Sequence, residues 1–182
     1  MTGSLSCRGG VKKPCALMAA ILEWFAVAIV ETRYAVPGWG VGELWRRDGV
    51  VLAHDFDFRP VSDTVSDTGT DDLIPTFRAF LEGEDVAFSD IALDLDWVTP
   101  FQRSLIEALR DVPRGDVVSY GELAALAGRP RAPRAAGAVC AANRFSFIVP
   151  CHRVVAAHGI GGYGTTGVDV KRRLLALEGV EL

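Results

Sequence analysis

Cysteine and histidine are the residues in this chain of 182 best suited to nucleophilic or metal chemistry. The cysteines are Cys7, Cys15, Cys140 and Cys151; no two form a CxxC pair, and there are only three histidines. This argues against a zinc site or a disulfide framework and for reduced thiols in the cytoplasm. One cysteine has unusual neighbours: Cys151 lies in IVPCHRVV, residues 148–155, between Pro150 and His152, with Arg153 next. A cysteine attacks as its thiolate, and an ordinary thiol pKa near 8.5 leaves little thiolate at neutral pH. A histidine can take the proton, directly or through water, and a carboxylate can hold that histidine in the useful tautomer. Glu178, in KRRLLALEG, is a candidate for the carboxylate. If 148–155 were a strand, Cys151 and His152 would point to opposite faces. A relay then needs a water or a turn at Pro150. On the dipeptide alone, an inert structural cysteine remains the commoner outcome.

Stepping outward, the segments before Cys151 carry clear helix punctuation. In TPFQRSLIEALRDVP, Thr99 caps, Pro100 fits the first turn and Gln102 completes a capping box. Phe101, Leu105, Ala108 and Leu109 give its apolar stripe. In SYGELAALAG, Ser119 and Glu122 form a second capping box, and Gly128 stops the helix. A further helix starts near Pro133 and ends near Asn143. The pair predicts a helix-turn-helix, against the alternative of a helical hairpin in a core. Its second helix is nearly bare: Ala135, Ala136, Gly137, Ala138, Ala141 and Ala142 allow close approach to a neighbouring helix or a DNA groove. Arg134 is its one long outward side chain; a solvated surface arginine is the bland reading.

The front of the chain reads differently. Residues 27–35 and 41–46 are predicted to be strands, and Asp48-Gly49 marks a hairpin. Residues 59–72 read as a loop, followed by a short helix with Leu73, Phe77, Phe80 and Leu81 on one face, ending at Gly83. A boundary is expected near 97–98, dividing residues 27–97 from 98–182. Residues 1–26 form an extension in which Lys12 and Lys13 precede an apolar run broken by Glu23. That run is short for a membrane span; a loosely structured or helical extension is expected, with a segment packed on the domain as the alternative and a signal as the least expected of the three.

With 49% hydrophobic and 23% charged residues, the chain can bury a core. Its net charge of −4 is unevenly spread. Residues 1–109 hold 9 Lys and Arg against 17 Asp and Glu; residues 110–182 hold 10 against 6. The basic C-terminal part can meet a polyanion, or it is simply an uneven solvated surface.

Taken together, SYGELAALAG, the R-A-A-G-A run, Asn143 and IVPCHRVV resemble the O6-alkylguanine-DNA alkyltransferases. The resemblance is good over 73–182, thinner over 27–58 and absent over 1–26. It implies an α/β (α+β) protein: a small N-terminal antiparallel-sheet domain of ribonuclease-H-like type, then a mostly helical domain of winged-helix or helix-turn-helix type. It implies irreversible transfer of an alkyl group from O6-alkylguanine, or O4-alkylthymine, to Cys151. His152 would act through water as base, polarised by Glu178, with Asn143 holding the turn. Tyr120 would rotate the nucleotide and give a proton to guanine. Arg134 would fill the gap left by the flipped base, with Ala135, Gly137, Ala138 and Arg144 against DNA. Tyr163, Val154 and Pro150 would line the pocket. The resemblance further implies a monomer acting on double-stranded DNA, with no metal or organic cofactor and no membrane. Two departures stand out: NRFSFIVP replaces the usual Asn-Pro-x-Pro lead-in, and the loop from Tyr163 to Lys171 is one residue longer. A non-reactive damage sensor and a thiol hydrolase are the rival classes.

Overall fold

The computed structural model describes residues 28–61 and 66–182. Three strands, β1 (Val30–Val36), β2 (Gly40–Arg47) and β3 (Val50–Asp57), form an antiparallel sheet in the order β1-β2-β3. Asp48 and Gly49 join β2 to β3 with φ of 52° and 80°. Those are the two positive values that a tight hairpin with the right-handed twist of its strands requires. Helix α1 (Ile74–Leu81) buries Ile74, Phe77, Phe80 and Leu81, and Gly83 follows it with φ 92°.

The second part is mostly helical. Helix α2 (Pro100–Arg110) carries the complete Thr99–Gln102 capping box. Its buried stripe is Leu105, Ile106 and Leu109, with Phe101 and Ala108 half-buried at the edges. Strand β4 (Val118–Ser119) runs into α3 (Tyr120–Leu126), capped by Ser119 and Glu122, and α4 (Pro133–Ala141) crosses α3 after a tight turn. Residues 148–155 are not one strand. Cys151–Arg153 form a single 3-10 turn, and only Val154–Val155 extend, as β5. Strand β5 pairs in parallel with β4, Val118 opposite Val154, so the residues after the cysteine lie beside the start of α3. Helix α5 (Val168–Leu177) closes the fold.

The boundary expected near 97–98 lies between a bridge of Leu93 to Val51 and the cap of α2. One apolar core nevertheless runs across it, from Tyr34 and Phe56 through Phe77 and Phe147 to Leu174. Strand β3 extends the sheet onto the second part: the His54 amide donates to Arg144 O (2.7 Å) and the Ser146 amide to His54 O (2.9 Å). Among the described residues no helix is long and apolar enough to cross a membrane. The expected extension at 1–26 lies outside the described residues.

Candidate active site

A tight turn dictates where the thiol sits. The Asn143 side chain accepts from the Phe145 amide (3.0 Å), and its Nδ2 donates to Val149 O (2.8 Å) and towards Cys151 Sγ (3.2 Å). Asparagine is suited to this, since one amide group supplies both an acceptor and two donors. The turn is tight enough to hold Phe147 at φ 68°, an uncommon conformation for a bulky residue. The Cys151 amide donates to Val149 O (2.8 Å) and the Arg153 amide to Pro150 O (2.9 Å). Pro150, buried, therefore begins the 3-10 turn that carries both Cys151 and His152.

Beneath the turn lies a buried charge cluster. The His152 ring nitrogen Nε2 is 3.0 Å from Glu178 Oε1. Arg153 grips the same carboxylate with Nε (2.9 Å) and Nη2 (2.8 Å), and its Nη1 donates to Val112 O (2.6 Å). Burial alone would raise the Glu178 pKa, but the His152 and Arg153 hydrogen bonds and charges hold it down to about 2. The carboxylate is thus ionised and can only accept, so Nε2 carries the hydrogen and Nδ1 the lone pair. Burial lowers the His152 pKa, which keeps the ring neutral. Nδ1 is buried and bonds to no described protein atom, which makes it the nitrogen free to receive a proton.

The thiol itself rests protonated. Burial raises the Cys151 pKa, while hydrogen bonds from Asn143 and Tyr163 and the Lys171 cation pull it back. A base is therefore needed at the moment of reaction. Cys140 is less suited to attack, its pKa being pushed up to about 12, chiefly by burial.

These shifts set a pH dependence of stability. His152 titrates lower in the folded chain than its ordinary 6.5, and Glu178 lower than 4.5. Both contributions are complete above those values and are lost as the pH falls. The two cysteines titrate above their ordinary 9.0, so their contribution is complete below it and lost as the pH rises. Thermal unfolding should therefore show its highest midpoint between about pH 7 and about pH 8.5. A midpoint that climbs below pH 6 would contradict these assignments.

Lys171 was not legible as a site residue. It is wholly buried, and its Nζ donates to Val154 O (2.5 Å), Ile160 O (2.7 Å) and Gly162 O (3.3 Å). It ties β5 to the loop that carries Tyr163. The available signal was a lysine on the same helical face as Leu174 and Leu175. Arg114 was also missed; it donates to Gly83 O, Glu84 O and Leu177 O, anchoring the residue before Glu178.

The other candidates fall on several surfaces. Tyr120 begins α3, half-buried, and its pKa is raised by burial and by the nearby Cys140 and Cys151. Tyr163 is half-buried at the thiol. Arg134 and Ala138 are exposed on α4, and Ala135 is half-exposed. Gly137 differs from expectation: it faces inward, where an added Cβ would lie 3.8 Å from the Tyr120 ring. Val154 differs too; its side chain is wholly in the core, and only its carbonyl serves the site, through Lys171. The exposed Arg144 lays its guanidinium over the Trp97 ring, 4.2 Å from the centroid.

The structure thus defines a helix-turn-helix domain with a turn-held cysteine above a buried His–Glu–Arg cluster. Residues 100–180 match the model of the 6-O-methylguanine DNA methyltransferase, DNA binding domain. A methylated-DNA–protein-cysteine methyltransferase of Methanothermobacter thermautotrophicus is 34% identical over 144 residues, 78% of this chain and 81% of that one. One from Mycolicibacterium paratuberculosis is 46% identical over 101 residues, 55% and 59% of the two chains. The crystal structure of Mycobacterium tuberculosis OGT in complex with DNA superposes with a TM-score of 0.70 at 35% identity, covering 82% of this chain and 93% of that one. The chain belongs to the methylated-DNA–protein-cysteine methyltransferase family.

Proposed function

We propose that this protein repairs O6-alkylguanine in double-stranded DNA by moving the alkyl group to Cys151, once per molecule. The observation that carries the reading is the Cys151 sulfur held 3.2 Å from Asn143 Nδ2, on a domain whose α3 and α4 form a helix-turn-helix. The thiol proton passes through a water to His152 Nδ1, leaving a thiolate beside an imidazolium that Glu178 stabilises. A sulfur lone pair attacks the alkyl carbon in line with O6. The S–C bond forms as the C–O6 bond breaks, and its electrons return to the guanine ring. Tyr120 gives that ring a proton, so the base leaves neutral; the His152 imidazolium gives its proton back to water, and the tyrosinate takes one from water in turn. Protonating the leaving group lowers the barrier. The balance closes without a metal or an organic cofactor.

The alkyl carbon is hidden in a stacked duplex, so the nucleotide must rotate out. Arg134, exposed at the start of α4, is the side chain to fill the gap, with Ala135 and Ala138 beside it against the groove and Arg144 near the flank. Lys171 holds the Tyr163 loop as the pocket wall. A monomer in a reducing compartment such as the cytoplasm fits the free Cys140 and Cys151. A damage sensor has no use for a thiol so held, and a thiol hydrolase would turn over. Intact mass after incubation with excess O6-methylguanine duplex should rise by one methyl group and stop there. No gain, or turnover without gain, overturns the reading.

Arg134→Ala should slow repair of duplex by about tenfold while leaving reaction with free O6-benzylguanine within about twofold. Equal losses on both substrates would remove Arg134 from the flipping step.

A further inference from the structure

The sheet of the first part carries a buried polar pair that the transfer step does not use. His54, on β3, is wholly buried. Its Nδ1 lies 2.7 Å from Ser146 O and its Nε2 2.7 Å from the Tyr34 hydroxyl. A carbonyl only accepts, so Nδ1 carries the hydrogen and Nε2 accepts from Tyr34. The ring also stacks on Phe77 at 4.1 Å with planes 4° apart, and Tyr34 lies beside it, nearly parallel at 5.9 Å and 7° and itself 5.7 Å from Phe77. Space for Tyr34 is made by Gly42, where an added Cβ would sit 2.2 Å from the tyrosine ring.

Three bonds from this one residue reach the lead-in to the cysteine. Besides the ring bond to Ser146 O, the His54 amide donates to Arg144 O and its carbonyl accepts from the Ser146 amide. Residues 144–146 are thereby fixed on both sides of Phe145. Phe147 follows at φ 68°, its ring packed 5.6 Å from His54 and 5.2 Å from Phe56. Two residues on, the Val149 carbonyl accepts from both Asn143 Nδ2 and the Cys151 amide.

We infer that His54 is a positioning residue for alkyl transfer: its ring bond to Ser146 O, seated by Tyr34, sets the turn that aims the Cys151 sulfur. The inference rests on the transfer reading above. It makes the first part of the chain a working portion of the acceptor site and not only a core filler. Misplacing a reacting atom by about 1 Å can slow a reaction about a hundredfold. Burial holds the His54 pKa down to about 4, so the neutral ring and its bonding persist across the working pH range.

The test uses the full chain and an O6-methylguanine duplex in single-turnover reactions, fitted for the transfer rate at saturating DNA and for the half-saturating concentration. His54→Phe keeps a stacked ring but loses the bond to Ser146 O. It should lower the saturating rate about tenfold and leave half-saturation unchanged. His54→Asn sets a donor near Nδ1 and should recover to within about threefold of the parent. His54→Gln, whose amide reaches instead towards Tyr34, should stay slow. Where His54→Phe does not fold, the Asn and Gln variants decide, since both lose the stack equally. Equal rates for those two, or a full rate for His54→Phe, overturn the inference. Failure of the parent protein to gain a methyl group would instead overturn the transfer reading.

Discussion

Cys151→Ala takes up no methyl group from O6-methylguanine DNA, however long the incubation, while its affinity for the damaged duplex stays within about threefold of the parent. The expectation follows from what the sulfur does in the fold. It accepts hydrogen bonds from Tyr163 and from Asn143 Nδ2, and the latter keeps Val149 O as its other acceptor when the sulfur is lost. The turn therefore survives, and the exposed face of α4 is untouched. Cys140 does not take over, because its thiol, pushed up to about 12, offers almost no thiolate at neutral pH. Intact mass and a binding titration check the two halves separately. A methyl group found on Cys140 in the variant would move the acceptor and undo the site assignment.

Glu178→Gln should damage both stability and chemistry. The carboxylate is wholly buried and is the shared partner of His152 and Arg153. Neutralising it leaves the Arg153 charge without its counter-charge, a change that costs about 3–5 kcal/mol when a buried pair is broken. The amide nitrogen must also face either Arg153 or His152, and both of those offer donors. The second effect is on the base. With no carboxylate on Nε2, the imidazolium formed on accepting the thiol proton loses its stabilising charge. The transfer rate at saturating DNA should fall at least about a hundredfold, the usual range for a lost proton-transfer partner. Denaturant titration and single-turnover kinetics read the two effects independently. A variant with unchanged unfolding midpoint and unchanged rate would show that the cluster is ornamental to both.

Local features of this fold were readable because local chemistry decides them. The Asp48-Gly49 hairpin, both capping boxes and the glycine after α1 each depend on residues within a few positions of one another. The cysteine was readable as an oddity, but not its geometry: a strand through 148–155 was open until the Asn143 bonds showed a 3-10 turn. What escaped the sequence lies in contacts between elements rather than within one. Lys171 looks like a misplaced charge on an apolar helix face until three carbonyls converge on it. Arg114 and His54 act across 63 and 92 positions respectively. Gly137 fits a helix or a DNA groove equally well in the sequence, and only the packing of α4 on α3 shows it towards the Tyr120 ring. No periodicity encodes such partners; they follow only from how the elements meet.

The long reach of His54 also bears on the order in which the protein is assembled. Domains generally fold from the N-terminus as the chain is made. The hairpin that holds His54 is local and can close early, while the turn that it supports is made some ninety residues later and can dock on a surface already built. The carboxylate under His152 follows later still. Glu178 follows all of these residues in the chain, so the base beside Cys151 is complete only when the residues after α5 have docked under His152.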